Sequence, residues 1–375
     1  MKLKPKITLI EHFSKLTDPR IERTKEHKLI DIVTIAICGM ICGADNWVAM
    51  EQYGNSKQEW LKQFLELPNG IPSHDTIARV FARLDPLEFE ECFRDWIKEI
   101  SQLIPGEVIS IDGKTLKHSG SKGIGKKAIH LVNAWANEQR LILGQVKVND
   151  KSNEITAIPE LIEVLELSGC LVTIDAMGTQ TQIAQLIQDA GADYCLALKG
   201  NQKYLHQDVQ ELFSLAESQD WQEIEHDFYR TVEKGHGRTE IRRYWTMPTS
   251  EFLVNYNQWE GLQSIGLVES VRKIGSETTT SKRYYINSFT SNAHLLAHAV
   301  RSHWAIENRL HWVLDVGFRE DDCPIHSDHA PENLAQLRKM SLNLLSQEKT
   351  LKIGVANKRL KAAWDNNYLA QVLGI

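Results

Sequence analysis

The alternation of apolar and polar positions divides the chain into a helical opening, a strand-and-helix middle and a helical close. Leu29 to Met50 is apolar with few charges, and Trp47, Met50, Tyr53, Trp60 and Phe64 recur at intervals of three, four and seven, so the first hundred residues read as helices. Within them, Ser73 is placed to cap a helix whose apolar side carries Ile77, Val80 and Phe81. From Glu107 the period changes. Val108 to Ile111, Ile129 to Trp135 and Leu141 to Val148 read as three strands in a row. A helix over Ile158 to Leu167, a strand at Leu171 to Ile174, a helix over Ile183 to Ala190 and a strand at Tyr194 to Leu198 follow. That order predicts a mixed α/β sheet with helices on its faces. Between Gly200 and Asn292 the chain has one helical stretch and then becomes strand-rich, as expected of an insertion. Ala293 to Val316 reads as one long helix, and the tail beyond Pro331 as helical and basic.

Length and composition narrow the class. With 375 residues, 42% hydrophobic and 25% charged, the chain can bury a large core and favours more than one domain. The longest uncharged apolar run, Ile32 to Ala44, is 13 residues, short of the roughly 20 a spanning helix needs, so no membrane segment is expected. No basic-then-apolar leader opens the sequence, which makes the cytoplasm the expected compartment. The six cysteines show no C-x-x-C spacing and read as reduced core residues.

The net charge of −6 gives no support for a polyanionic partner, but its distribution does. Lys114, Lys117, Lys122, Lys126, Lys127, Arg140, Lys147 and Lys151 face only Glu138 and Asp150 over the same stretch. In the insertion, Arg230, Lys234, Arg238, Arg242 and Arg243 stand against Glu233 and Glu240, around Gly235-His236-Gly237. A phosphate backbone could be held at either place, and Arg238 and Arg242 are the expected contacts.

Asp112 and Asp175 each close an apolar strand and are each followed closely by a glycine, Gly113 and Gly178. Carboxylates converging from separate elements suit hard divalent cations, and phosphodiester chemistry uses two such ions about 4 Å apart. A third carboxylate is offered by Glu307, beside the stripe Leu296, Ala299, Ile306, Leu310 and Val313 of the long helix, and it is expected to point inward. His303, Glu307 and His311 also share a face at four-residue steps, which permits a zinc reading, although the spacing is not H-E-x-x-H. Asp315, Glu320, Asp321 and Asp322 offer substitute ligands or a solvated acidic face.

These residues resemble a known family. Ile111-Asp112-Gly113-Lys114, Thr173-Ile174-Asp175-Ala176-Met177-Gly178, Ala197-Leu198-Lys199-Gly200-Asn201-Gln202, His303-Trp304-Ala305-Ile306-Glu307-Asn308 and Leu310-His311-Trp312-Val313-Leu314-Asp315-Val316 are similar, in order, to motifs of the ISAs family of bacterial insertion-sequence transposases, including the H-repeat-associated proteins. Gly43-Ala44-Asp45 and Asn69-Gly70-Ile71-Pro72-Ser73-His74-Asp75-Thr76 resemble that family's N-terminal associated domain. The resemblance implies an all-helical DNA-binding domain over residues 1–105 and an RNase H-like catalytic domain over 106–375, interrupted by the insertion at about 200–292. It also implies a triad of Asp112, Asp175 and Glu307 holding Mg²⁺ or Mn²⁺, two ions in all. Terminal inverted repeats and target DNA are the implied partners and a homodimer on DNA the implied working form. Many relatives with such an insertion carry Tyr, Arg and Lys seven before, four before and seven after the glutamate; here those positions are Val300, His303 and Leu314. Arg301, His303, Lys199 and Lys114 are the expected DNA contacts near the triad, and Ser73 and Arg79 those of the helical domain. A DNA-binding descendant without transposition, or a nuclease that does not join strands, are the alternatives.

Overall fold

The computed structural model describes residues 9–120, 127–149, 152–235, 237–249, 253 and 255–375. Lys122, Lys126, Lys151 and His236 therefore lie outside the described residues. The helical opening comprises α1 (Leu9–Phe13), α2 (Leu29–Ile41), α3 (Trp47–Leu61), α4 (His74–Arg83) and α5 (Pro86–Ile100). Local chemistry sets the starts of three of them: Asn46 accepts from Ala49 N, Ser73 from Thr76 N, and Asp85 from Leu87 N just ahead of Pro86. Each cap satisfies an orphan N–H of a first turn, which explains why α4 begins where the sequence expected.

The middle supplies β1 (Val108–Thr115), β2 (His130–Ala136), β3 (Leu141–Lys147), α6 (Glu154–Val164), β4 (Leu171–Ile174), α7 (Thr181–Asp189) and β5 (Asp193–Leu198). Their spatial order is β3-β2-β1-β4-β5. β2 runs antiparallel to both β1 and β3, while β1, β4 and β5 are parallel, which is the RNase H-like arrangement. Beyond a helix α8 (Lys203–Ser218), the strand-rich segment forms β6 (Asp227–Gly235), β7 (Arg238–Pro248), β8 (Ser264–Ile274) and β9 (Glu277–Asn287). Instead of standing apart, it extends the same sheet: β9 pairs antiparallel with β5 through Cys195↔Asn287 to Leu198↔Tyr284, and β8, β7 and β6 follow outward to make nine strands. An edge that would otherwise expose unpaired N–H and C=O groups is thereby covered.

The close of the chain is α9 (Ala293–Ile306), a π-helical turn Glu307–His311, α10 (Trp312–Gly317), α11 (Ala330–Gln347), α12 (Val355–Trp364) and α13 (Asn366–Leu373). Here the structure departs from the expectation of an exposed basic tail. α11 is buried along nearly its whole length, including Arg338 and Lys339, and Lys358 and Arg359 of α12 are buried as well. Two asparagines of α11 serve the backbones around it. Asn343 donates to Ile142 O and accepts from Ile142 N, both at 2.9 Å, completing β3, and Asn333 donates to Phe81 O and Leu84 O at 2.8 and 2.9 Å, closing the end of α4. Such groups are costly to bury unpaired, so these contacts offset part of the cost of placing a polar helix in an interior. One apolar cluster runs from Leu9 and Phe13 through Val80, Trp135 and Leu196 to Leu345 and Val372, so the helical opening shares its core with the sheet and with α11–α13. Among the described residues no helix is long and apolar enough to cross a membrane.

Candidate active site

The parallel pairing of β1 with β4, Ile111↔Ile174, brings Asp112 and Asp175 side by side, each one residue past that pair. Their settings differ. β4 ends at Ile174, and Asp175 opens a turn in which its Oδ1 accepts from Met177 N at 2.9 Å and Gly178 N at 3.4 Å. β1 instead continues beyond Asp112 to Thr115, paired with β2, so Asp112 stands within a strand rather than at its end. Gly113, the next residue, lies against the Glu154–His130 pair, joined at 2.6 Å, and a Cβ there would collide with both side chains. Burial pushes Asp112 up to about 7, and the neighbouring charges of Glu154, Asp175 and Glu307 push the same way.

Glu307 is the first residue of the π turn that follows α9. Its side chain is 68% exposed, not inward as an unbroken α-helical period predicts. The widened turn keeps Leu310 and Leu314 in the core while the carboxylate opens toward Asp112. His311 closes the turn beneath it. Its Nδ1 lies 3.2 Å from Glu307 Oε2 and 3.6 Å from Asp112 Oδ2, and one donor atom from each of Asp112, Glu307 and His311 falls within 4.8 Å of the others. This donor set, two carboxylates and an imidazole with a third carboxylate adjacent across the sheet, fits a divalent cation: burial and the neighbouring carboxylates both disfavour a charge on Asp112, and a cation bound there would offset them. The zinc face read from the sequence is not assembled, because His303 turns the other way, its Nδ1 3.1 Å from Thr173 Oγ1 on β4.

The expected DNA contacts divide. Lys199 is exposed and, with Arg283, His303 and Trp304, lines a pocket of about 170 Å³ beside Asp175. The Arg283 guanidinium stacks 4.4 Å over the Trp304 ring. His303 is half-buried and held down at about 4 by burial, so near neutrality it brings no positive charge there. Lys114 is a correction: at 9% exposure it is buried against Asp315, Glu320 (3.6 Å) and Asp321 (3.7 Å), and ties β1 to the loop after α10. The acidic run expected to be solvated is thus the partner of that lysine, with Glu320 itself buried. In the insertion, Arg238 pairs with Glu240 at 3.0 Å, Arg242 with Glu240 and with Glu233 at 3.1 Å, and Arg301 of α9 with Glu233 at 3.0 Å. Glu233 and Glu240 face each other across β6 and β7, so these arginines relieve a like-charge pair and tie the insertion to α9. Ser73 and Arg79 lie exposed on α4, in the helical layer, with Arg79 Nε donating to Asp75 O at 3.1 Å. Sequence reasoning missed Glu154 and His130. Neither belongs to a readable spacing, since Glu154 comes near Asp112 only through the placing of α6 and His130 meets Glu154 from β2.

Comparisons with known proteins agree on one lineage. A family described as "Transposase DDE domain" matches residues 104–344, and one described as "DDE_Tnp_1-associated" matches residues 10–97. A protein of Escherichia coli K12 named "H repeat-associated putative transposase YhhI" is 42% identical over 370 residues, covering 97% of each chain. One of Escherichia coli O157:H7 named "Putative transposase YncI" is 43% identical over 370 residues, covering 98% of this chain and 94% of that one. With both family matches in chain order and near full-length relatives above 40% identity, this chain belongs to the DDE transposases of bacterial insertion sequences.

Proposed function

We propose that this protein binds the terminal inverted repeats of its own element, cuts the DNA there and joins the freed 3′ hydroxyl to a target. The observation that supports the reading is the gathering of Asp112, Glu307 and His311 donor atoms within 4.8 Å of one another, with Asp175 next to Asp112 across the β1–β4 pairing. Bound there, two Mg²⁺ or Mn²⁺ ions would supply a metal-activated water or 3′ hydroxyl and charge neutralisation at the scissile phosphate. Asp112 and Asp175 would be shared ligands and Glu307 would complete the second position. Glu307 is the exposed member, so it is the one that can adjust when DNA arrives. Two ends must be held together for joining, which favours a homodimer on DNA. Ser73 and Arg79 on α4 are assigned to recognition of the ends, and the strands of the insertion to non-specific phosphate contact.

The test is incubation of the protein with duplex carrying the element's end and a target plasmid in Mg²⁺ or Mn²⁺. Cleaved ends with a free 3′ hydroxyl together with joined product support the reading. Cleavage without joining would leave a nuclease, and binding alone a DNA-binding descendant.

Phosphate gripping is expected to follow the free charges. Replacing Lys199 with Ala should lower the slope of log K against log salt by about one, as for one lost phosphate contact. Arg242→Ala should lower it by less, because that guanidinium already answers Glu233 and Glu240. Filter-binding titrations over a range of salt check both, and equal slopes for wild type and Lys199→Ala would remove Lys199 from the DNA path.

A further inference from the structure

We propose that His311 is itself a metal ligand of this site, through Nδ1, and that it biases the site toward Mn²⁺ over Mg²⁺; the inference rests on the reading of Asp112 and Glu307 as cation-binding carboxylates. Geometry is the first support. Two bonds of about 2.1 Å meeting at a right angle put their donor atoms about 3 Å apart, and wider angles put them farther. The separations of 3.2 Å to Glu307 Oε2 and 3.6 Å to Asp112 Oδ2 lie in that range, so one ion can reach all three donors with small side-chain movements.

The second support is the setting of the ring. His311 is 6% exposed, and its Nε2 is buried with no hydrogen-bond partner among the described residues. Among the described residues the polar partners of the ring, Glu307 and Asp112, both lie on the Nδ1 side, so Nδ1 is the nitrogen presented to the carboxylates. The π turn is the third support: Glu307 and His311 are its two ends, and both side chains come to β1 from that irregular turn.

A nitrogen donor changes the chemistry of an otherwise all-oxygen site. Mg²⁺ keeps oxygen ligands and its near-octahedral water shell, whereas imidazole suits transition metals such as Mn²⁺. His311 would also fix the position of the Glu307 carboxylate, the most exposed of the three.

The experiment is pulsed electron paramagnetic resonance on the full-length protein loaded with Mn²⁺, together with calorimetric titration of Mn²⁺ and of Mg²⁺. The wild type is expected to show a nitrogen coupling from a directly bound imidazole. His311→Gln should lose it, with the Mn²⁺-to-Mg²⁺ affinity ratio falling about tenfold, the scale seen when groups supporting a metal site are removed. His303→Gln should keep the coupling, because that ring faces Thr173. Circular dichroism establishes that each variant is folded, and the wild-type spectrum stands without any substitution. Bound Mn²⁺ with no nitrogen coupling, or a coupling that survives in folded His311→Gln, overturns this inference and leaves the carboxylate site standing. Failure of the wild type to bind either ion overturns both.

Discussion

Replacing Asp112 or Asp175 with Asn, or Glu307 with Gln, is expected to reduce cation-dependent cleavage of end-containing DNA by at least about a thousandfold, a barrier increase of about 4 kcal/mol, while DNA binding persists. Each substitution keeps shape and removes one charge, so what is lost is the ability to gather cations at the scissile phosphate. A second readout needs no DNA. Burial and the charges of Glu154, Asp175 and Glu307 raise Asp112 to about 7, so between about pH 4 and pH 7 the folded chain holds a proton there that the unfolded chain has released. Stability therefore falls as pH rises through that window, and the deficit is complete above it. Asp112→Asn cannot ionise and should be more stable than the wild type at pH 8 in chelator, by on the order of 2 kcal/mol for a side chain still 26% exposed. The advantage should vanish below about pH 4, where Asp112 is protonated in both states, and shrink when Mn²⁺ is added to the wild type. Cleavage at the wild-type rate in any of the three variants would remove that residue from the triad. A lower melting temperature for Asp112→Asn at pH 8 would mean that the cluster is not held against its own repulsion.

Where the sequence could be read, the signal was local. The cap at Ser73, the apolar strands before Asp112 and Asp175 and the helix from Ala293 all depend on residues within a turn or two of one another. Glu307 was found as a residue but not as an orientation, because a π turn leaves no mark on a three-to-four residue period. α11 escaped for a different reason. Its periodicity looks amphipathic and basic, yet it is surrounded, and Asn333, Asn343 and Lys339 are used up on Phe81, Leu84, Ile142 and Gln145. Counting charge along the chain failed in the same way. Of the bases between Lys114 and Lys151, Lys114 and Lys117 meet Asp321, and Lys147 meets Glu332 at 3.1 Å, partners far along the chain. A run of like charge in sequence becomes a set of pairs once the chain closes on itself, and the positive surface left for DNA is smaller than the tally implies.

Arg359 shows what such a buried base does instead, and its removal should have a large effect on stability. The guanidinium donates to Met40 O at 2.8 and 3.2 Å, at the last turn of α2, and also meets Asp45 and Gly317 O, while its face lies 4.2 Å from the Phe318 ring. One side chain of α12 thus closes the ends of α2 and α10, joining the helical opening to the segment that follows Glu307. Arg359→Ala would leave Asp45 without its buried partner and take a donor from both Met40 O and Gly317 O, and is expected to cost about 3 to 5 kcal/mol. Arg359→Lys should recover little of that loss, because a single ammonium cannot reach three acceptors from one position as a planar guanidinium does. Thermal denaturation monitored by circular dichroism measures both. At temperatures where the variants remain folded, the salt slope of DNA binding should match the wild type, since no phosphate is bound by a side chain 6% exposed. A slope reduced by about one with an unchanged melting temperature would overturn this assignment and return Arg359 to the DNA-gripping surface.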